Sequence, residues 1–443
     1  MNSHSAFDQH LNRRRLLQLG GMTLGGLALA GCSGTSSTAT SDTPLKTGSK
    51  PGGQISILDD NTNNVFKDST IKAFQDQTGI RVATYQQGNF NDLHDKMATM
   101  FSAQDASFDV VMTWAGWSAE FGQAGWLQEL DKESVPKDLI QPALDAVSWG
   151  GKIYGLPKFT SVQTMFWNKK LFQEAGIDSD TAPATWDEFV TVAKKITQDG
   201  QYGYACDMGN PAGAYQNFLR VLLLNGGEMY DADYNPTFAT DKGVDALSKL
   251  VDLLQVHKVM DPASLQTTNS SDLGDQFARG KTGIVFNWPF QYAAATGPKS
   301  TLDKATVGNG LIPGMSVRSA SIDGSEGFAV NKFSKNKDAA LAWLQFVTTG
   351  AVQQQIVQKE GWFPVSKSIL DDPASLAALP VLKTYQESTQ YVTKRYGTPW
   401  DSEFDQALSV QLINAMNGKT SPKEALDAAQ KTAQDLVKKY LKK

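Results

Sequence analysis

Paired acidic residues follow the first predicted strand of the chain. The apolar run QISIL (54–58) leads into Asp59, Asp60 and Asn61, which open the polar stretch DDNTNN. Carboxylate and amide groups can hydrogen-bond the hydroxyl groups of a polar ligand. Asp and Asn are also common in turns, because their side chains bond to nearby backbone groups. The stretch therefore predicts either a ligand-binding loop or a solvated turn between a strand and a helix.

Two tryptophans follow another predicted strand. Trp114 and Trp117 come after the apolar run FDVVM (108–112), and they are two of the ten tryptophans in the 443-residue chain. Gly, Asn or Pro would suffice to end a strand. Flat aromatic rings instead offer apolar surface, either to the protein core or to a bound molecule. The position raises the question of which role each ring has.

The composition argues against several other kinds of chemistry. The two cysteines, Cys32 and Cys206, and the four scattered histidines lack metal-ligand spacing, so we predict no metal site and no cofactor. The formal net charge is −5 and basic residues form no block after the N-terminus, which argues against nucleic acid as a partner. The chain also lacks the Gly-x-Ser-x-Gly, His-Glu-x-x-His and phosphate-loop motifs.

The N-terminal segment has the pattern of an export signal. Arg13, Arg14 and Arg15 precede a weakly apolar, glycine-rich stretch over 16–30, which is shorter than the ~20 residues of a membrane span. The sequence NRRRLL around these arginines resembles a twin-arginine export signal. That resemblance implies that Arg13 and Arg14 direct export.

A lipid attachment motif follows this signal. LAGC (29–32) is similar to the bacterial lipobox, which implies that Cys32 is lipidated and becomes the mature N-terminus. We therefore expect a signal peptide over residues 1–32. The next residues are rich in Ser and Thr, so we expect a flexible tether over 33–51. Cys206 has no cysteine partner left and is predicted to be a small buried residue.

Strand and helix patterns alternate from residue 52 onward. They comprise, in order, a strand at 54–58, a helix at 68–79, a strand at 80–85, a helix at 91–101 and a strand at 108–112. Such alternation predicts an α/β fold with a parallel, doubly wound sheet. Further on, the capping box formed by Thr185 and Glu188 predicts a helix start, and the last hundred residues are predominantly helical in pattern. One such sheet rarely absorbs a chain of this length, and no Pro/Gly-rich linker divides it, which suggests two lobes that the chain visits more than once.

Five longer stretches occur in the order in which a known family has them. They are FDVVMTWAGWSAEFGQAGWLQELD, GGKIYGLPKFTSVQTMFWNKKLFQEAGI, PATWDEFVTVAKKIT, FARGKTGIVFNWPFQ and GFAVNKFSKNKDAALAWLQFV. Together they resemble the extracellular solute-binding proteins (family 1) of carbohydrate ABC importers, nearest to the maltose/trehalose-type branch. The likeness extends from residue 52 to residue 443.

The resemblance implies a particular α/β architecture. This is the type II periplasmic-binding-protein-like fold, in which about three crossovers join two lobes and the ligand lies in the cleft at the carboxyl ends of the strands. By the same likeness, lobe 1 comprises residues 52–158 with 308–348, and lobe 2 comprises 164–303 with 351–443.

The resemblance also assigns candidate ligand contacts. Asp59, Asp60 and Asn61 occupy a position at which the family commonly contacts sugar. Trp288, in the sequence FNWP, matches a position that often stacks on a sugar ring, and its alternative role is packing. Arg395 falls where family members carry an arginine that reaches the cleft, where a guanidinium can bind two hydroxyls or a carboxylate.

Three further positions depart from the maltose/trehalose-type branch. An aspartate commonly stands at the position of Trp114, another lies near Ser161, and a tryptophan often stands at the position of Glu326. The likeness therefore implies a rewired cleft that Trp114, Ser161 and Glu326 help to form, and we do not expect trehalose or maltose as the ligand. Trp117 has an apolar counterpart and is expected to pack, while Trp362 is compatible with either packing or the cleft.

The sequence thus favours a lipoprotein that captures a carbohydrate, either a monosaccharide or an oligosaccharide, and delivers it to the transmembrane subunits of an ABC permease. We expect it outside the cytoplasm, attached to the membrane by its lipid, monomeric and not an enzyme. One alternative is a polar non-sugar solute such as a glycerophosphodiester, which would favour a cationic group such as Arg395 or Lys158.

Two more distant hypotheses remain open at this point. A secreted glycoside hydrolase would need two carboxylates held ~5–10 Å apart across the scissile bond. Asp60 and Glu326 are the candidates for such a pair, although nothing in their spacing supports it. A purely structural lipoprotein would bind no ligand in its cleft.

Overall fold

The computed structural model describes residues 43–47, 52–61, 64–394 and 397–441. Several residues predicted from the sequence lie outside this part of the chain. They are the signal-peptide arginines, the lipobox cysteine and one candidate ligand contact: Arg13, Arg14, Cys32 and Arg395.

The strands of the described residues, in chain order, are Gln54–Asp60 (β1), Arg81–Gly88 (β2), Val110–Trp114 (β3), Ser148–Trp149 (β4), Lys152–Ile153 (β5), Gly155–Phe159 (β6), Thr164–Asn168 (β7), Tyr202–Ala205 (β8), Thr282–Asn287 (β9), Val307–Gly310 (β10), Ala320–Ile322 (β11), Glu326–Val330 (β12) and Val392–Lys394 (β13). The strands predicted at 54–58, 80–85 and 108–112 correspond to β1, β2 and β3.

The α-helices of the same residues are Ser69–Thr78 (α1), Phe90–Ser102 (α2), Ala115–Gln123 (α3), Gln141–Asp145 (α4), Lys169–Glu174 (α5), Trp186–Ile196 (α6), Pro211–Leu224 (α7), Asp241–Gln255 (α8), Ser270–Ala278 (α9), Phe290–Thr296 (α10), Lys337–Val347 (α11), Gly350–Gln355 (α12), Lys367–Leu370 (α13), Pro373–Ala378 (α14), Leu382–Ser388 (α15), Asp401–Met416 (α16) and Pro422–Leu441 (α17). Short 3₁₀ turns lie at Lys132–Ser134, Pro262–Leu265 and Lys304–Thr306, and a π-helical turn lies at Ile356–Glu360.

Two mixed sheets form the two lobes. The five-stranded sheet has the order β2-β1-β3-β12-β6, and the four-stranded sheet has the order β10-β7-β9-β8. The strands β1, β2 and β3 are parallel, as the alternation of strands and helices predicts. β8 and β9 are likewise parallel.

Both sheets also contain antiparallel pairs, which the alternation of strands and helices does not predict. β12 pairs antiparallel with both β3 and β6, and β7 pairs antiparallel with β9 and β10. The reason is the path of the chain. β12 enters the first sheet on its return from the second lobe, so it does not arrive by the strand-helix-strand crossover that produces parallel neighbours.

The predicted lobe boundary at residue 308 also needs correction. It falls inside β10, whose residues Val307–Gly310 pair with β7 of the second sheet. Sheet membership therefore assigns this strand to the second lobe, and the return to the first sheet comes with β12. The long C-terminal helix α16 packs mainly on α7 and α17, and it also contacts α3 of the first lobe.

Part of the predicted tether is folded onto the first lobe. Leu45 forms a parallel bridge with Leu130, and its backbone N–H donates to the carbonyl of Glu129 at 2.8 Å. The N–H of Thr47 donates to Ser134 Oγ at 2.9 Å. Leu45 also packs against the hydrophobic core. The prediction of a flexible tether over all of 33–51 is therefore wrong at 43–47, because this stretch contains an apolar anchor with backbone partners.

Several local predictions are confirmed. Thr185 and Glu188 form the capping box of α6. Cys206 is a free, buried cysteine. Trp117 is buried and stacks on Phe90, with ring centroids 4.8 Å apart. These features depend on residues close in sequence or on simple apolar burial.

Candidate ligand-binding site

A cavity of about 480 Å³ lies between the two lobes. On the first lobe it is lined by residues that follow the carboxyl ends of parallel strands: Asn61 after β1, Asn89 and Phe90 after β2, and Trp114 at the end of β3. On the second lobe Asp207 follows β8 and Trp288 follows β9. Because the carboxyl ends of parallel strands meet at one edge of a sheet, each lobe presents these loops to the cleft.

The aromatic wall of the first lobe is Trp114, supported by Phe90. Trp114 is 7% exposed, and its ring meets that of Phe90 edge to face at 5.5 Å. Trp117 stands behind both, 6.0 Å from Trp114, at an interplanar angle of 89°. One tryptophan of the FDVVMTWAGW stretch therefore faces the cavity, while the other packs against its back.

The aromatic wall of the second lobe contains Trp288, Phe290 and Trp362. Trp362 stacks on Phe159 with centroids 4.4 Å apart and an interplanar angle of 16°. Phe290 lies 5.4 Å from Trp362. Residues far apart in sequence thus build one apolar surface, and the stacking on Phe159 of β6 joins it to the first sheet.

Two crossover segments join the lobes and pair with each other beside the cavity. Gly324 N–H donates to the carbonyl of Ser161 at 2.8 Å, and the hydroxyls of Thr160 and Ser325 are 2.8 Å apart. A third segment joins them, since Thr160 and Phe363 exchange backbone hydrogen bonds. The chain therefore passes between the lobes through a hydrogen-bonded bundle of segments that also forms part of the cavity wall.

A buried charge cluster centred on Lys158 lies next to the cavity. The Nζ atom of Lys158 is 2.8 Å from Asp59 Oδ1, 2.9 Å from Asp60 Oδ2 and 2.9 Å from Glu326 Oε2. The hydroxyl of Tyr85 donates to Asp59 Oδ2 at 2.6 Å. Lys158, Asp59 and Asp60 are fully buried, whereas Glu326 reaches the cavity wall.

Burial dominates the acid–base properties of this cluster. It raises the pKa of Asp59 to about 6, where Lys158 opposes the shift and Asp60 adds to it. Burial followed by the neighbouring charge of Asp60 raises the pKa of Glu326 well above its usual range. Burial lowers the pKa of Lys158, but the three carboxylates outweigh it and hold that pKa well above its usual value. Lys158 therefore keeps its positive charge, and the cluster contains three acidic groups for this one basic group.

A second buried acid lies on the opposite lobe. Asp207 is 5% exposed, and Asn217 Nδ2 donates to its Oδ1 at 3.1 Å. Burial raises the pKa of Asp207 to about 6, although Asn217 and the charge of Arg220 oppose that shift. Arg220 itself is buried in the lobe, where it donates to Gln163, Asn217 and, at 3.4 Å, the Tyr204 hydroxyl.

Polar groups at two helix starts complete the rim of the second lobe. Asn210 caps α7 by accepting from the Gly213 N–H at 2.8 Å. Asn269 caps α9 by accepting from the Asp272 N–H at 2.8 Å, and its Nδ2 donates to Asp272 Oδ2 at 2.6 Å. Further hydroxyl and amide groups of the same segments line the cavity: Gln216, Thr268, Ser270 and Ser271.

Glu360 lines the cavity and contacts the segment that follows β1. The N–H of Asn64, which follows β1, donates to Glu360 Oε1 at 3.1 Å. Burial raises the pKa of Glu360, while the Asn64 hydrogen bond and the charge of Lys67 oppose the shift. Glu360 ends the π-helical turn that leads into Trp362.

A family model for bacterial extracellular solute-binding proteins matches residues 59–354, well over half of the chain. The chain belongs to this family. As a member, it is an extracytoplasmic binding protein that works with an ABC permease. The two-lobed architecture with a cavity between the lobes agrees with this assignment.

Relatives of this solute-binding protein have different recorded ligands. A probable amino-acid ABC transporter periplasmic-binding protein of Sinorhizobium fredii is 30% identical over 69% of this chain and 71% of its own. The mannitol-binding protein of Pseudomonas aeruginosa is 25% identical over 77% of this chain and 83% of its own. The maltose-bound structure of T. maritima MalE3 has a TM-score of 0.79 and 26% identity, covering 87% of this chain and 100% of that one.

The structure brings most of the predicted site residues of this binding protein together. Asn61, Trp114, Ser161, Trp288 and Glu326 all line the cavity, from both lobes and from the crossovers. Their roles as ligand contacts stay proposals.

Three other residues considered from the sequence are placed differently. Asp59 and Asp60 are fully buried and hold Lys158, so they lie behind the cavity wall rather than on it. Lys158 is equally buried, which removes it as the cationic ligand group considered for a phosphate-bearing solute. The prediction placed these residues at a strand exit, but β1 extends through Asp60, and both carboxylates contact Lys158 inside the protein.

Sequence reasoning missed several cavity residues, among them Asn89, Phe90, Asp207, Phe290 and Glu360. Some signal existed for Phe290, which follows the predicted site residue Trp288 by two residues, whereas Asp207 follows β8, a strand that the sequence analysis did not predict. Within the described ranges, no helix is long and apolar enough to cross a bilayer. The same ranges contain no group of His, Cys, Asp and Glu arranged to hold a metal ion.

Proposed function

We propose that this solute-binding protein captures a carbohydrate in the cavity between its lobes and delivers it to the transmembrane subunits of an ABC permease. The observation that carries the proposal is the aromatic surface on both sides of one cavity. Trp114 and Phe90 come from the first lobe, while Trp288, Phe290 and Trp362 come from the second. Polar side chains line the rest of the cavity.

This combination suits a sugar because a pyranose ring has an apolar C–H face and a rim of hydroxyls. Aromatic rings bury the C–H face, and hydroxyls pair with amide and carboxylate groups. A hydroxyl left unpaired in a closed cleft costs about 1–3 kcal/mol, so the polar set decides which sugar is bound. Asn61, Asn89, Ser161, Asp207 and Glu326 supply that set here.

Phosphate-bearing solutes fit the described cavity less well. No Lys, Arg or His occurs among the described residues that line it. Lys158 is committed to three carboxylates, and Arg220 to polar groups of its own lobe. Among the described residues, a phosphodiester would therefore face carboxylates without a cation to balance its charge.

The named ligands of the relatives are compatible with a carbohydrate. Mannitol and maltose are polyhydroxylated, as the aromatic and polar lining requires. An amino acid, named for the Sinorhizobium relative, carries a carboxylate that again would need a cation. The described cavity lining favours the polyhydroxylated class over the amino-acid class.

We also propose that the protein is exported through the Arg13–Arg14 signal, anchored by a lipid on Cys32 and active as a monomer. The anchoring of 43–47 on the first lobe supports a short link, since only residues 33–42 would separate Cys32 from the folded body. A lipid anchor would keep the binding protein near its permease.

Enzymatic hydrolysis of a glycoside is the alternative that the cavity acids raise. The sequence offered Asp60 and Glu326 as the two carboxylates of a hydrolase. Asp60 is fully buried against Lys158, so it does not face the cavity together with Glu326. We propose binding without turnover. Incubation with a panel of glycosides should release no product, and sustained turnover would contradict the proposal.

A thermal-shift screen followed by calorimetry tests the proposed function. Purified protein is heated with monosaccharides, disaccharides, oligosaccharides, polyols, glycerophosphodiesters and amino acids. A ligand bound only by the native state raises the melting temperature, because at a concentration 100 times Kd it adds about 2.7 kcal/mol to the free energy of unfolding. We expect a carbohydrate or polyol to give the largest shift. A shift confined to phosphodiesters or amino acids would overturn the proposal.

A further inference from the structure

The charged groups of the cavity wall are all acidic. Asp207, Asp272, Glu326 and Glu360 line the cavity, and the part of its lining that the structure describes contains no basic residue. They come from both sides of the cleft: Glu326 from β12 of the first sheet, and Asp207 and Asp272 from the second lobe.

One of the four acids has a structural explanation. Asp272 lies in the first turn of α9, where a negative charge offsets the helix dipole, and it is held by Asn269. Glu326, in contrast, lies at the start of a strand, and Glu360 at the end of a π-helical turn. Asp207 precedes the cap residue of α7 and is nearly buried. These three carboxylates are not accounted for by helix capping.

Lys67 and Lys359 act on Glu360, whereas the buried cations near Glu326 and Asp207 are shared with other groups. Lys158 meets three carboxylates with a single positive charge, and like-charge repulsion from Asp60 contributes to the raised pKa of Glu326. Arg220 is 1% exposed and donates mainly to neutral groups. Arg395, outside the described residues, would add at most one charge. A ligand that brings its own positive charge would pair with these carboxylates at the cavity wall.

Two further polar groups indicate that a ligand with hydroxyls occupies the same space. Ser161 is 1% exposed and lines the cavity, and its Oγ has no hydrogen-bond partner among the described residues. Trp362 is 5% exposed, and its Nε1 likewise has none there. Buried polar groups are normally satisfied, so a bound molecule is the natural partner for both.

We propose that the carbohydrate carries a protonated amine, as in an amino sugar or an aminated polyol. This inference rests on the proposed function and narrows its ligand class. The ammonium group donates charge-assisted hydrogen bonds to Asp207, Glu326 or Glu360, and it also suits the faces of the cavity aromatics, which attract cations. The remaining hydroxyls pair with Ser161, Trp362 and the rim.

Calorimetry with matched sugars tests the inference. The probes are glucosamine against glucose and N-acetylglucosamine, and the chitosan disaccharide against diacetylchitobiose, at about pH 7, which lies above the raised pKa of Asp207 and leaves much of each amine protonated. We expect at least one amine to bind about tenfold or more tightly than both its hydroxyl and its N-acetyl counterpart, the ratio that one charge-assisted hydrogen bond supplies. Equal or tighter binding of the neutral sugars would overturn the inference and leave the proposed function standing. If neither kind of sugar binds, the inference fails, and the thermal-shift screen tests the proposed function separately.

Variants locate the recognition of the amine. At least one of Asp207→Asn, Glu326→Gln and Glu360→Gln should reduce the ratio of amine to neutral affinity, whereas Asp187→Asn, a change at an exposed acid in the first turn of α6, should leave that ratio unchanged. Thermal unfolding confirms that each variant is folded. An amine preference that all three cavity variants retain in full would contradict recognition by these carboxylates.

Discussion

Gly324 of the second crossover lies directly against the indole ring of Trp288. A Cβ atom on Gly324 would stand 2.4 Å from Cζ3 and 2.5 Å from Cη2 of that ring, a separation that non-bonded atoms do not adopt. Glycine is required here for close approach rather than for its backbone angles, since Gly324 does not have a positive φ. The Trp288 side of the cavity is therefore in direct contact with Gly324, in a segment that joins the lobes.

We expect Gly324→Ala to displace the Trp288 ring and weaken ligand binding by about tenfold, a loss of ~1.4 kcal/mol. The loss should be partly relieved by adding Trp288→Phe, because the smaller ring leaves space for the new methyl group. Calorimetry on the two single variants and the double variant measures this coupling. Additive effects would show that the contact does not position the ring.

Truncation of Trp288 tests its role directly. Trp288→Ala should weaken carbohydrate binding by at least about tenfold, because it removes an aromatic face from the cavity. Trp149→Ala is the matched control, since Trp149 packs on Tyr234 and does not line the cavity. Calorimetry measures affinity and circular dichroism confirms folding. Unchanged affinity in Trp288→Ala would remove this residue from the site.

Removal of the central cation of the buried cluster should destabilise the protein. Lys158→Met leaves Asp59, Asp60 and Glu326 buried without a positive charge, which costs about 3–5 kcal/mol of unfolding free energy. The control Lys72→Met breaks an exposed ion pair with Asp76 and should cost about 1 kcal/mol or less. Urea unfolding measures both variants. Similar small losses would show that the cluster does not depend on Lys158.

Stability should depend on pH through the buried acids. The folded protein raises the pKa of Asp59 and Asp207 to about 6, whereas an aspartate in an unfolded chain titrates near about 3.9. Between these values the folded state binds more protons than the unfolded state, so the free energy of unfolding falls as pH rises from about 4 through about 6. Asp207→Asn should flatten this decline when urea unfolding is followed across the window. An identical decline in wild type and variant would contradict the assignment for Asp207.

The lipid anchor gives a cellular prediction. Cys32→Ser should move the protein from the membrane fraction to the soluble extracytoplasmic fraction, because the sulfur that receives the lipid is gone. Cys206→Ala serves as the control, since this cysteine is buried in the second lobe. Fractionation followed by immunoblotting reads the result. Membrane retention of Cys32→Ser would point to a different mode of attachment.

The positions of the strands and helices could be predicted because they depend on local patterns. Apolar runs located β1, β2 and β3, and the spacing of Thr185 and Glu188 located the start of α6. The antiparallel pairing of β12 could not be predicted from local patterns, since strand direction within a sheet depends on the path of the chain through both lobes.

The sequence by itself determined which aromatic and polar side chains the site could use. Its likeness to a known family pointed to Trp114, Ser161, Trp288 and Glu326, which line the cavity. Only the tertiary structure decided that Asp59 and Asp60 turn inward to Lys158, residues 99 and 98 positions away, rather than toward a ligand. It also added Asp207 and Glu360 to the cavity. The physical reason is that burial and charge balance arise from elements brought together by folding, whereas periodicity and capping arise within a few residues of one another.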